Sequence, residues 1–139
     1  MRSRVGSPRR AFAIALTATI GFALAGCTTT VAPSSLVDLT LDVAKQRAPA
    51  STTFLTYDVS VTVAHESPTY TDDGHDGAWT VIAACSATGE PLQENGPNLA
   101  MAVIPNTAVT AEVRSNAQRG GYDRLLRECD RQPAPGTGG

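Results

Sequence analysis

The spacing of hydrophobic and polar positions changes several times along the chain, and each change marks an element. Residues 11–25 form a mostly apolar run behind four arginines, Arg2, Arg4, Arg9 and Arg10. Residues 28–35 (TTTVAPSS) are polar, with Pro33 among them. Leu41, Ala44 and Ala48 then recur at helical spacing and predict a short helix. Thr40 is suited to cap it, Asp42 to sit in its first turn, and Pro49 to stop it. Over 55–63, Leu55, Tyr57, Val59, Val61 and Val63 alternate with Thr56, Asp58, Ser60 and Thr62, a period of two that predicts a strand with one wet face. Residues 65–77 (HESPTYTDDGHDG) have no apolar period and read as a loop. Trp79, Val81, Ala83 and Cys85 mark one face of a second strand. After a turn-rich stretch over 88–98, LAMAVI (99–104) predicts a third strand, closed by Pro105. Ala108, Val109, Ala111, Val113 and Ala117 predict a helix entered through Asn106 or Thr107 and ended by Gly120-Gly121. Tyr122, Leu125, Leu126 and Cys129 form one apolar stripe and predict a last helix. Residues 132–139 (QPAPGTGG) have the composition of a disordered tail. The sum is an α+β class fold: a small three-stranded antiparallel sheet with short helices on one face.

The first apolar run is fifteen residues long, short of the roughly 20 that a membrane-spanning helix needs. With its basic start and the small residues at its end it reads as an export leader. Leu24-Ala25-Gly26-Cys27 resembles the lipobox of bacterial lipoprotein signal peptides. That resemblance implies removal of residues 1–26 and attachment of lipid, palmitate-type acyl chains included, to Cys27. Two acyl chains anchor stably where one does not, so the implied location is the outer face of the cell membrane, with residues 27–35 as a tether. Arg9-Arg10-Ala11-Phe12 also resembles the twin-arginine export motif, and both export routes stay open.

Charge and cysteines change the picture next. The whole chain carries −2, with eleven basic and thirteen acidic residues. Four of the basic residues lie in the leader and none of the acids does, so the remainder is distinctly acidic. That balance argues against nucleic acid as a partner. If Cys27 carries lipid, Cys85 and Cys129 remain as an even pair in an oxidising compartment. Each ends an apolar face, and a disulfide between them is expected. The chain-entropy treatment assigns such a bond roughly 4 kcal/mol.

Candidate chemistry is sparse. Asp72, Asp73, His75 and Asp76, with His65 and Glu66 nearby, are the one metal-like cluster. The calcium-loop pattern fails, because the twelfth position counted from Asp72 is Ala83 where a closing acid is required. A zinc site finds two histidines and no evident third or fourth ligand. A solvated acidic loop is the expectation, with no metal and no cofactor. There is no G-x-S-x-G elbow, and Glu90 and Glu94 stand in a Pro/Gly-rich turn. Trp79 alternates with Val81 and Ala83 and reads as core rather than as a stacking platform. The arginines Arg114, Arg119, Arg124, Arg127 and Arg131 are interleaved with acids as a mixed solvated face.

Val37-Asp38-Leu39-Thr40-Leu41-Asp42-Val43-Ala44-Lys45 resembles the opening of the PASTA domain, a small extracellular module of penicillin-binding proteins and serine/threonine kinases. Trp79-Thr80-Val81, with Gly89 and Pro91 after it, is similar to that family's second strand and turn. The resemblance spans roughly residues 36–104 within a domain placed at 36–131. It implies a non-catalytic binding module of the bacterial cell envelope, with peptidoglycan or another envelope component as ligand. The alternative expectation is a structural or interaction subunit that partners a membrane protein complex.

Overall fold

The computed structural model describes residues 29–131. The expected leader over 1–26, Cys27 as the expected site of lipid attachment and the expected disordered tail over 132–139 lie outside the described residues. Among those described, no helix is long and apolar enough to cross a membrane.

The sheet is built around the chain's most uniformly apolar segment. β3 (Leu99–Pro105) is buried at every position up to its closing proline, as a strand must be when both of its faces are covered. It runs between β1 (Phe54–Asp58) and β2 (Trp79–Ser86), giving the order β1-β3-β2. β2 pairs with β3 antiparallel, but β1 pairs with β3 parallel, Phe54 opposite Leu99 and Asp58 opposite Val103. The sheet is therefore mixed, not the purely antiparallel sheet expected. The alternation in β1 reports only which of its faces is wet. It carries no information on the direction of a strand that pairs some forty-five residues later.

Both faces are covered, which corrects the expectation of helices on one face. On one side α1 (Leu41–Arg47) lays Leu41 and Ala44 over Val81, Leu99, Met101 and Val103. On the other, Ala117 of α3 (Ala111–Gln118) and Leu126 close over Ile82, Ala83, Cys85, Ala100, Ala102 and Ile104. A bulge at Ile82 decides which side chains go where. Val81 opposes Val103 while Ala83 opposes Ala102, so one residue of β2 is extra. The extra residue inverts the alternation beyond it. Trp79 and Val81 pack with α1, but Ala83 and Cys85 pack on the α3 side. The four were expected on a single face.

β1 is also shorter than its alternation predicts. It ends at Asp58, and α2 (Ser60–Val63) follows where strand was expected to continue to Val63. The Asp58 carboxylate accepts from the amide and hydroxyl of Ser60, an aspartate turn that competes with strand pairing. The helical turn brings Val59 and Val63 together on the core and leaves Val61 exposed.

α3 starts later than expected, at Thr110, whose hydroxyl accepts from the Val113 amide at 3.2 Å. Its end follows the glycines. Gly120 is left-handed (φ 72), and the amides of Gly120 and Gly121 close onto the carbonyls of Ala117 and Asn116, a Schellman closure. The predicted last helix is instead two 3-10 turns, Asp123–Leu125 and Cys129–Arg131. Tyr122, Leu126 and Cys129 still face the core, as their spacing implied.

Residues 31–40, the end of the expected tether included, are docked on the domain. Val31 bridges Leu92, and the Asp38 amide and Leu39 carbonyl bond Val81 along the outer edge of β2. This covers one of the sheet's two edges.

Candidate functional site

Among the described residues, several titratable groups meet around Lys45, the chain's single lysine. It stands in the last turn of α1 and reaches over the Phe54 ring, 5.8 Å from its centre. Its ammonium group donates to Asp76 at 2.8 Å and lies 3.6 Å from Asp72. The Tyr70 hydroxyl donates to Asp76 at 3.2 Å, and the Tyr70 ring meets buried Trp79 edge-on at 5.2 Å. Phe54, Thr56, Tyr70, Asp72 and Lys45 enclose a shallow recess of about 300 Å³.

The loop over 65–77 is thus a fixed structure. Its first half is held by Asp58, whose second carboxylate oxygen accepts from the amides of Thr69 (2.7 Å) and Tyr70 (3.0 Å). Its second half is held by Lys45 and by Asn106, which donates to the Gly77 carbonyl at 2.8 Å and accepts from the Thr80 hydroxyl at 2.7 Å. At the exposed tip Asp73 accepts from Thr71 and pairs with His75 at 2.9 Å. The Thr71 and His75 hydrogen bonds lower the Asp73 carboxyl to a pKa of about 2.

These neighbours also define what the cluster does chemically. Burial works against the charge on Lys45. The Asp76 hydrogen bond and the facing Tyr70, Asp76 and Asp72 outweigh it and raise the lysine above its ordinary value. Burial is the first cause that raises Tyr70 as well. At neutral pH the site therefore holds an ammonium and a neutral phenol, neither of which is a ready base. Asp72 and Asp76 turn to Lys45, and Asp73 turns to His75, so the loop acids do not converge on one point. The lysine charge stands where a cation bound between Asp72 and Asp76 would have to go. Of the residues in this cluster, the sequence pattern singled out the loop acids. Lys45, Tyr70 and Asp58 were not singled out, since Lys45 meets Asp76 across 31 positions, Asp58 meets Thr69 and Tyr70 across 11 and 12, and Tyr70 is one aromatic in a loop without apolar period.

Trp79 is core, beneath Tyr70, as its spacing implied. Glu94 accepts from the Ala50 amide and the Ser51 hydroxyl and fastens the 88–98 connection to the turn after α1. Arg114 pairs with Asp38 at 3.2 Å. Cys85 and Cys129, from β2 and the last 3-10 turn, lie at disulfide distance with Cα atoms 5.3 Å apart. A second concavity, an open groove of about 590 Å³, runs between α2 and α3. Val63 and Val113 contribute its apolar lining, and Glu66, Asn116, Arg119 and Tyr122 its polar groups. No family model, no curated protein and no solved structure matches this chain.

Proposed function

We propose that this protein is an exported bacterial lipoprotein, anchored through lipid on Cys27 to the outer face of the cell membrane, that presents a non-catalytic binding domain to the cell envelope. The observation that carries the reading is Leu24-Ala25-Gly26-Cys27, placed after an arginine-rich start and an apolar run too short to span a bilayer. The paired Cys85 and Cys129 support it, since disulfides persist in exported proteins and are rare in reducing compartments. The PASTA-like segments supply the ligand class, peptidoglycan or another envelope component. The groove between α2 and α3 suits such a ligand, because its amide, guanidinium, carboxylate and phenol groups complement amides and hydroxyls.

Membrane fractionation tests the anchor. Wild type is expected in the membrane fraction as the processed, acylated form, and Cys27→Ala is expected to accumulate unprocessed and unacylated. Equal processing and acylation of the two would sink the lipoprotein reading. The binding claim is tested separately by incubating detergent-extracted protein with purified peptidoglycan. Retention, reduced by Tyr122→Ala in the groove, is expected; a clean flow-through would favour a protein partner in a membrane complex.

A further inference from the structure

Asp123 lies beside the Cys85–Cys129 pair. One of its carboxylate oxygens and the two sulfurs all lie within 4.8 Å of one another. The backbone makes room for this placement. Left-handed Gly120 precedes the turn, and a Cβ at that position would stand 2.7 Å from the Asp123 Oδ2. The carboxyl has no ion-pair partner among the described residues, and burial, the sole cause, raises its pKa. The described charged side chains of the adjoining turns are engaged elsewhere or face solvent. Arg119, Arg124, Arg127 and Asp130 are exposed, Glu128 meets the Tyr57 hydroxyl, and β2 contributes no charge. A disulfide that only staples the fold requires no acid next to it.

We propose that Cys85–Cys129 is an exchangeable disulfide, that its reaction partner is a dithiol, and that Asp123 is the proton donor to the sulfur that leaves. Cys129 is half-buried and Cys85 is 1% exposed, so the incoming thiolate attacks Cys129. A bond forms from the reductant sulfur to Cys129 Sγ, the Cys85–Cys129 bond breaks, and its electron pair leaves on Cys85 Sγ. A thiolate there would be stranded among Ile82, Ala100 and Ile104, where an unpaired charge is costly. The Asp123 carboxyl, an oxygen of which lies within 4.8 Å of the Cys85 sulfur, gives its proton to Cys85 and is left ionised. It regains a proton from water through the cavity of about 250 Å³ that it lines with Ala117, Gln118 and Gly120. The second thiol of the partner then attacks the mixed disulfide. Cys129 departs as a thiolate and is protonated by solvent. The dithiol ends as a disulfide, and the protein gains two electrons and two protons as two thiols.

The test is the rate of reduction of the intact protein by dithiothreitol between pH 5 and pH 8, read by quenched alkylation. Each rate is divided by the fraction of reductant present as thiolate. In wild type the corrected rate should fall about ten-fold from the acid to the alkaline end of that range, as the protonated fraction of the Asp123 carboxyl declines, a modest share of what a placed acid contributes. In Asp123→Asn it should be flat and at least about ten-fold slower than wild type at pH 5. A flat wild-type profile overturns the proposal, and so does an Asn variant that matches or exceeds wild type at pH 5. If Asp123→Asn does not fold, the wild-type profile decides alone.

Discussion

Asp58 ends a strand, starts a helical turn and fixes a loop with a single carboxylate. One oxygen takes the amide and hydroxyl of Ser60, and the other takes the amides of Thr69 and Tyr70. Burial opposes its ionisation, but the Ser60, Tyr70 and Thr69 donors outweigh burial and hold the carboxyl below its ordinary value. Hydrogen bonds to a charged group are each worth more than neutral ones, and removing the acceptor leaves several donors unpaired. Asp58→Ala is therefore expected to lower stability by about 2–3 kcal/mol in urea unfolding at neutral pH. The sign of the pH effect follows from the lowered pKa. The contribution is complete above the unfolded value of about 3.9 and is lost as pH falls through the lower folded value. Wild type should lose stability more steeply than Asp58→Ala on acidification below about pH 4. Equal slopes would show that the carboxylate is not the cause. In the sequence Asp58 reads only as a polar position in an alternating run, because its partners Thr69 and Tyr70 come from the far side of α2.

At the scale of the element, the loop over 65–77 shows the same limit. Its acidic composition is visible in the sequence and its lack of apolar period is correct. Its rigidity is not visible, since that depends on α1 presenting Lys45 to Asp72 and Asp76. The Lys45–Asp76 pair is largely shielded, with 23% and 17% of the two side chains exposed. Lys45→Met leaves Asp76 without its cation and is expected to lower stability by about 1–2 kcal/mol, between the surface and buried limits for ion pairs. Proteolysis should then cut within 65–77 several times faster, while Asp58 still holds the first half of the loop. Unchanged proteolysis would show that the ion pair is incidental. Because the lysine pKa is raised, this contribution is complete at neutral pH and fades only as pH rises through the folded value, above the ordinary lysine range.

The molecule as a whole depends on the bulge at Ile82. Without it Cys85 would lie on the face of Trp79, toward α1 and away from Cys129. With it, the sulfurs meet across the α3 side and close a separation of 44 residues. The chain-entropy treatment gives such a closure about 4 kcal/mol, a large part of a small domain's net stability. The double variant Cys85→Ala, Cys129→Ala is expected to lose about that much in urea unfolding, and reduction of wild type should produce a similar loss. A loss below about 1 kcal/mol would show that packing alone holds the C-terminal turns.

By itself, the sequence determined the helix after Thr40, the strands around 79–85 and 99–104, the core role of Trp79, and the pairing of Cys85 with Cys129. The elements rest on local period and turn residues written within a few positions of one another, and the cysteine pairing rests on a count of thiols over the whole chain. Only the tertiary structure decided that β1 runs parallel to β3, that helices cover both faces, and that Asp58 stops its strand. It also decided which cation faces the acidic loop and which acid lies beside the sulfurs. All but the turn from Asp58 to Ser60 are contacts between residues distant in sequence, and that turn is a local hydrogen bond that the apolar period does not record. Strand direction and side-chain partnership leave no periodic trace, because they arise only when separate elements compete for the same two faces of one small sheet.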